Sequence, residues 1–516
     1  MLIYDLDKRG SRPIYEYLYF CIREDILRGI LNPGDRLPSK REMARDHHVA
    51  LITVENAYAQ LIIEGYVTTR EKSGYFVSKD LPAEGISLRL DAKRDSKTDH
   101  VSDASQEPNA KHESDTLQDP TAKHKSDKLS NASARQKSDT MRKAYSGLAD
   151  GQNEQKRELL ADFTSSRLKH DAFPFATWAK LMRKVMDDRE EAFLQRPESA
   201  GVPQLREAIT VYLQKAKGLN VDMDRIIVGP GTEYLHHIVV QLIGKNRMVA
   251  VEDPGYKKVG QIYEGEGLKC LHISVDEGGM TIEKLKGSNV GLVHTSPSHH
   301  FPTGCVMPIG RRKALLEWAK EQNTYIVEDD YDSEFRFDGR PVPTLASLDD
   351  ETVIYMNTFT KTLAPSIRIA YMVLPEMLRK KYQEKLSFYS GAVSSFEQYT
   401  LAAFISEGYY ERHINRMRNY YRQQRAKILQ TLRESPLSDR VSIEEHSAGL
   451  HFILKVKGIR KDEKWLEKLE AQGIKLMPVS SYCYGDQEKY RHQFVIYYSD
   501  LEQKNLEKAF ALMAEI

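Results

Sequence analysis

The stretch Asn357-Thr-Phe-Thr-Lys-Thr-Leu-Ala-Pro-Ser-Ile-Arg368 sets one lysine, Lys361, among small hydroxyls and apolar residues, with a second cation seven residues on. Upstream, Ile326-Val-Glu-Asp-Asp-Tyr-Asp-Ser-Glu-Phe335 follows an apolar run with a carboxylate cluster that includes Asp329 and Tyr331. Val251-Glu-Asp-Pro-Gly-Tyr256 ends another apolar run on an aromatic, and Thr295-Ser-Pro-Ser-His-His-Phe-Pro-Thr-Gly304 follows a further one. Val228-Gly-Pro-Gly-Thr-Glu233 opens a helical pattern through His236, Val239 and Leu242. Glycine-exposed amides at a helix N-terminus bind phosphate. Any one of these loops is weak evidence for a ligand; several in order are far stronger. Singly, Lys361 could be a solvated lysine, the acidic cluster a solvated loop, Tyr256 a half-buried tyrosine and each threonine a cap.

The elements that must position these loops are legible in the same stretch. Short β-branched runs such as Ile226–Val228, Met248–Val251, Val290–Val293, Tyr325–Val327 and Val353–Tyr355 alternate with amphipathic helices. Continuous apolar strands between helices predict a mostly parallel sheet covered on both faces, an α/β domain over 161–516 with a smaller C-terminal α/β subdomain.

A second, small domain is predicted over residues 11–79. Leu18, Cys21, Ile22 and Ile26 have helical spacing, and Asn32-Pro33-Gly34-Asp35 is a turn. Ser39 with Glu42 makes a capping box ahead of a short helix to Asp46. Another helix runs from about Ala50 to Glu64, with Val54, Ala57, Leu61 and Ile62 on one face. Two β-type runs, 66–70 and 75–77, flank Glu71-Lys72-Ser73-Gly74. Three helices and a hairpin make a winged helix-turn-helix.

Between the two, residues 80–160 read as a flexible, repetitive linker. From Asp91 to Lys143 the large apolar residues are Val101, Leu117, Leu129 and Met141, on a twelve-residue repeat that includes Ala110-Lys-His-Glu-Ser-Asp115 and Ala122-Lys-His-Lys-Ser-Asp127. One apolar residue per repeat cannot bury a solenoid core. About 80 flexible residues would reach roughly 50 Å. His100, His112 and His124 are better read as solvated linker residues than as metal ligands, and no metal is expected.

Charge excludes further classes. The chain has 516 residues, 75 basic and 74 acidic, so a globally basic nucleic-acid coat and an acidic tail are both ruled out. Any nucleic-acid contact must be a local patch. No run approaches the ~20 apolar residues of a membrane span. The N-terminus lacks a signal-peptide pattern, and Cys21, Cys270, Cys305 and Cys483 are scattered, so a cytoplasmic protein with reduced thiols is expected.

Gly29-Ile-Leu-Asn-Pro-Gly-Asp-Arg-Leu-Pro-Ser-Lys-Arg-Glu-Met-Ala44, with Ala57-Tyr58, Leu61 and Glu64-Gly65-Tyr66, resembles the DNA-binding domain of GntR-type bacterial regulators. The C-terminal motifs look like fold-type I aminotransferases that use pyridoxal 5′-phosphate, and the whole chain resembles the MocR subgroup of GntR regulators. For the small domain the resemblance implies operator DNA as partner, with the later helix in the major groove. Lys40, Arg41, Arg45 and Thr53 would meet the DNA, and the wing residues Lys72, Ser73 and Gly74 its backbone or minor groove. Where the family usually shows Ser-Arg, this chain has Ala50-Leu51. Residues 1–80 hold twelve Lys/Arg and twelve Asp/Glu, so no basic field makes up the loss.

For the large domain the resemblance implies a Schiff base on Lys361, with Asp329 on the pyridinium nitrogen and Tyr331 on the phenolic oxygen. Tyr256 would stack on the ring, and Gly231, Thr232, Thr358, Thr360 and Arg368 would hold the phosphate. A head-to-tail homodimer through the large domain is implied, and RNA polymerase is a further candidate partner of a regulator. Three departures stand out. Phe301 replaces the asparagine before Pro-x-Gly, the tyrosine upstream of Gly201 is missing from Leu194-Gln-Arg-Pro197, and His492–Ser499 lacks the arginine for a substrate carboxylate. The chain is therefore expected to be a regulator whose effector is pyridoxal phosphate, acting on vitamin B6 synthesis or salvage, with no catalytic residues for turnover. An active aminotransferase, or a regulator sensing an amino acid, is the alternative.

Overall fold

The computed structural model describes residues 4–9, 13–63, 66–70, 74–78, 159–164, 172–337, 343–444, 448–498 and 501–516. The linker expected over 80–160 lies outside these apart from 159–160, as do the wing residues Lys72 and Ser73.

The N-terminal domain contains helices α1 (Ile14–Leu27), α2 (Lys40–Asp46) and α3 (Leu51–Ile63) with strands β1 (Arg36–Leu37), β2 (Val67–Arg70) and β3 (Gly74–Val77) in the order β1-β3-β2. The two-residue strand β1, which the sequence reading left unassigned after the Asn32–Asp35 turn, adds to the hairpin edge. The capping box is formed: the Glu42 amide donates to Ser39 Oγ and the Ser39 amide to Glu42 Oε2. Such a cap satisfies two amides of the first turn that would otherwise lack partners. Leu18, Ile22, Val54, Ala57, Tyr58 and Leu61 are fully buried, and Ile309 of the large domain joins their cluster.

The large domain is built on strands β4 (Ile226–Gly229), β5 (Met248–Asp253), β6 (Cys270–Asp276), β7 (Gly279–Met280), β8 (Val290–Thr295), β9 (Tyr325–Asp329), β10 (Val353–Thr358) and β11 (Ala370–Val373). Their spatial order is β4-β11-β10-β9-β8-β5-β6-β7. The β10-β9-β8-β5-β6 centre is parallel, and β11 runs antiparallel to both its neighbours. Successive residues serve opposite cores: Ile326 and Tyr355 join the cluster on one face, Val327 and Ile354 that on the other. Burial on both faces is why these strands read as unbroken apolar runs.

Three helices matter for the site: α4 (Thr232–Ile243) after β4, α5 (Lys257–Gly265) after β5, and the one-turn α6 (Phe359–Thr362) after β10. The long helix α7 (Tyr409–Glu434) then crosses between subdomains. Its Tyr410 and Ile414 pack in the large core, and its Met417, Ile428 and Leu432 in the C-terminal one. That C-terminal subdomain carries a four-stranded antiparallel sheet: β12 (Val441–Glu444), β13 (His451–Val456), β15 (Gln493–Tyr497) and β14 (Met477–Pro478), in spatial order. Among the described residues no helix is long and apolar enough to cross a membrane, and the four cysteines are free thiols.

Candidate cofactor site and DNA-reading face

Ligands of an open α/β sheet sit outside the carboxyl ends of its strands. Those ends here carry Gly229, Asp253, Thr295, Asp329 and Thr358. The parallel register of β9 with β10 sets Asp329 opposite Met356. One carboxylate oxygen of Asp329 lies 3.6 Å from His294 Nε2; the other is buried with no hydrogen-bond partner. His294 is held in turn by the Tyr263 hydroxyl, 3.1 Å from its Nδ1. Behind it stacks His236, which burial holds neutral by lowering its pKa to about 3. A buried acceptor left unpaired is costly, so Asp329 presents a vacant lone pair where a protonated ring nitrogen would be satisfied.

Lys361 projects from α6 into a half-buried position and makes no hydrogen bond or ion pair among the described residues. Burial lowers its pKa, and the negative charge of Asp332 partly offsets that. The α6 turn is tied down by hydroxyls. Thr358 caps it at the Thr360 amide and bonds the Thr360 hydroxyl at 3.0 Å, and Thr360 Oγ1 donates to the Ile367 carbonyl. Arg368 meets Glu233 at 3.0 Å, and Lys258 pairs with the same carboxylate. Gly231, at φ +105°, lets the guanidinium approach: a Cβ there would lie 2.6 Å from Arg368 Nη2. Gly231, Thr232 at the first turn of α4, Arg368 and Lys258 thus gather into one cup, whose two cations share the Glu233 carboxylate. The donor set, the vacant acceptor and the cup fit pyridoxal phosphate.

The Tyr331 hydroxyl lies 3.4 Å from His299 Nδ1 and stays protonated, because burial and Asp332 push its pKa well up. His299 is clamped from two further sides. Asp332 accepts from Nδ1 at 3.0 Å, and the ring lies so close over Gly449 that a Cβ would sit 1.8 Å from its Cε1. Tyr256 is 56% exposed at the start of α5, edge-on to Phe301 at 6.1 Å.

Phe301 extends this wall toward Tyr482, His451 and Tyr497, with ring centroids 4.8, 5.2 and 6.4 Å away. The β13–β15 register sets His451 opposite Tyr497, and no guanidinium stands on β15. Arg416 of α7 is instead engaged by the Ala172 carbonyl at 2.7 Å and by His413 Nδ1 at 3.1 Å. Buried Glu252, pushed up to about 8 by burial, accepts from Thr295 and from the Ser296 amide. Nearby His300 is held to about 3, so their 3.6 Å contact joins two neutral groups at neutral pH.

In the N-terminal domain Arg41 is exposed and makes no ion pair among the described residues. Lys40 is held by Glu55 at 3.3 Å and Arg45 by Asp46 at 3.1 Å, so two of the three α2 cations expected at DNA have acidic neighbours. Thr53 sits half-exposed in the first turn of α3, and Gly74, at φ +106°, opens β3.

His294, Lys258 and Gly449 lay outside the motifs singled out from the sequence. Lys258 lies two residues after the Glu-Asp-Pro-Gly-Tyr run, so its neighbourhood was a usable signal. His294 and Gly449 reach the site through sheet register and subdomain packing, which leave no local pattern.

A winged helix-turn-helix ahead of an aminotransferase-type domain defines a class of regulator, and comparison with known proteins places the chain within it. Residues 14–77 match the bacterial regulatory proteins of the gntR family, and residues 161–509 match aminotransferase class I and II. The HTH-type transcriptional regulator YdeL of Bacillus subtilis is 34% identical over 92% of this chain and 91% of its own length. The probable rhizopine catabolism regulatory protein MocR of Rhizobium meliloti is 31% identical over 92% and 88%. The chain belongs to the MocR subgroup of GntR-type transcriptional regulators. In fold, a multiple-substrate aminotransferase from Thermococcus profundus superposes with a TM-score of 0.62 at 23% identity, over 70% of this chain and 91% of that one.

Proposed function

We propose that this DNA-binding regulator binds pyridoxal phosphate on Lys361, and that the cofactor itself is the effector, in control of vitamin B6 synthesis or salvage. The observation that carries the reading is an asymmetry. The cofactor end of the site has a vacant Asp329 acceptor, an unpaired lysine and the cup of Arg368 and Lys258. The far end has an aromatic wall and no guanidinium on β15. An amino-acid sensor needs differential contacts with a second ligand, and the bidentate cation usual for a carboxylate is missing. A pyridoxine biosynthesis regulator of Corynebacterium glutamicum, 25% identical over 90% of this chain and 87% of its own length, supports the same direction.

When bound, pyridoxal phosphate supplies an aldehyde that an amine can capture covalently. The residues of this chain would divide the remaining work. Lys361 provides the amine, Asp329 orients the ring by its nitrogen, and Tyr331 donates to the phenolic oxygen. Tyr256 covers the ring, and Gly231, Thr232, Thr358, Thr360, Arg368 and Lys258 fix the phosphate. Catalytic turnover is not part of the proposed role. We further assign residues 11–79 to DNA reading, 80–160 to a linker and 161–516 to sensing and dimerisation. A dimer through the large domain has support in exposed apolar residues there, among them Phe175, Leu194 and Phe388.

The test is operator affinity of the full-length protein in three states: apo, loaded with pyridoxal phosphate, and loaded with a panel of amino acids added. A several-fold change with pyridoxal phosphate alone is expected. Affinity unchanged by the cofactor but shifted by one amino acid would overturn the effector assignment. Such a result would favour the second reading, in which Arg416 leaves the Ala172 carbonyl to meet a carboxylate.

A further inference from the structure

The buried stripe of α3 is Val54, Ala57, Tyr58 and Leu61, which leaves Leu51, Ile52, Asn56 and Ala59 on its outer side. Leu51 is 41% and Ile52 60% exposed, at the N-terminal end of the helix. In a helix-turn-helix, that end meets base edges in the major groove. The helix Leu51–Ile63 has no arginine or lysine at all, and its one acid, Glu55, is occupied by Lys40. Cations stand beside it instead: Lys40, Arg41 and Arg45 on α2, with Arg36 on β1. The surface is therefore an apolar tip beside α2, where Arg41 is exposed to meet a phosphate while Lys40 and Arg45 are shared with Glu55 and Asp46.

Chemistry narrows what that tip can read. The commonest specific contact, a bidentate arginine or lysine on guanine, has no donor on α3. Branched aliphatic chains fit the C5-methyl group of thymine, the one apolar feature of the major-groove edges, and Asn56 has the amide that pairs with adenine N6 and N7. Singly exposed aliphatic residues are ordinary on a protein surface. Two in succession at the reading end of a recognition helix that lacks every cation are a different matter. We propose that Leu51 and Ile52 read thymine methyl groups, so that the operator half-site is specified by A·T pairs, with Arg41 and its neighbours serving phosphates. The proposal rests on DNA recognition through α3.

The experiment uses the full-length protein and a duplex enriched by it from a random-sequence pool. Thymines are replaced one at a time by deoxyuridine, which pairs identically and lacks only the methyl. At one or two thymines per half-site the replacement should weaken binding about 3- to 5-fold, the scale of one buried methyl group. In Leu51→Ala or Ile52→Ala protein, the penalty at the matching thymine should vanish while the others persist. Arg41→Ala should weaken all duplexes alike. Deoxyuridine tolerated at every position would overturn the proposal, as would half-sites fixed by G·C pairs. Failure to enrich any duplex would instead strike at DNA recognition itself. The first measurement uses wild-type protein, so it does not depend on any variant folding.

Discussion

At the scale of single residues, Lys361 and Asp329 carry complementary deficits. One is an amine with no partner, the other an acid with one lone pair unmet. Replacing Lys361 with alanine is expected to abolish a borohydride-fixable adduct with pyridoxal phosphate, read by intact mass; an adduct retained on another lysine would refute the assignment. The neutral amine is the form that captures an aldehyde. Because burial lowers the Lys361 pKa from its ordinary 10.5, the capture rate should rise with pH through a midpoint below that value. The charge of Asp332 raises it, so Asp332→Asn should move the midpoint further down; an upward move would contradict the cause assigned here. The sequence singled out Lys361, Asp329, Tyr331 and Tyr256 because each sits in a dense local motif close after a strand. The His294 support of Asp329 was not legible there, since the two residues lie on different strands and meet only through register.

Among the elements, the clearest lesson is the approach of the segment before β13 to the loop after β8. Gly449 has φ +71° and the His299 ring fills the space where a side chain would stand. Gly449→Ala should therefore cost about 1–3 kcal/mol in backbone strain, with more from displacing the ring. Thermal unfolding measures the first; a changed absorbance of bound pyridoxal phosphate would report the second, since His299 contacts Tyr331. Unchanged stability and absorbance would mean the contact is loose. Helices and strands themselves were largely readable. Core periodicity predicted α1 and α3 to within a few residues, and the apolar runs marked the sheet. The antiparallel insertion of β11 was not, because Ala370–Val373 is buried on both faces like the parallel strands of the sheet and its direction leaves no trace in composition.

For the whole molecule, two readers on a two-fold dimer would require two half-sites. The linker composition, with one large apolar residue per twelve, is that of a tether, so a reader that leaves its Ile309 contact could still span varied half-sites. Moving the half-sites apart by several base pairs should then lower affinity only shallowly, as footprinting can show. A steep loss at half a helical turn would point to a fixed arrangement. The vacant oxygen of Asp329 has a further consequence at this scale. A chain folded with an unmet buried acceptor gives up stability that a ligand restores, and a ligand present at 100 times its dissociation constant adds about 2.7 kcal/mol. The size of the pool that survives proteolysis would then itself follow cofactor supply. On the proposed reading, a cell short of pyridoxal phosphate would hold fewer copies of the regulator.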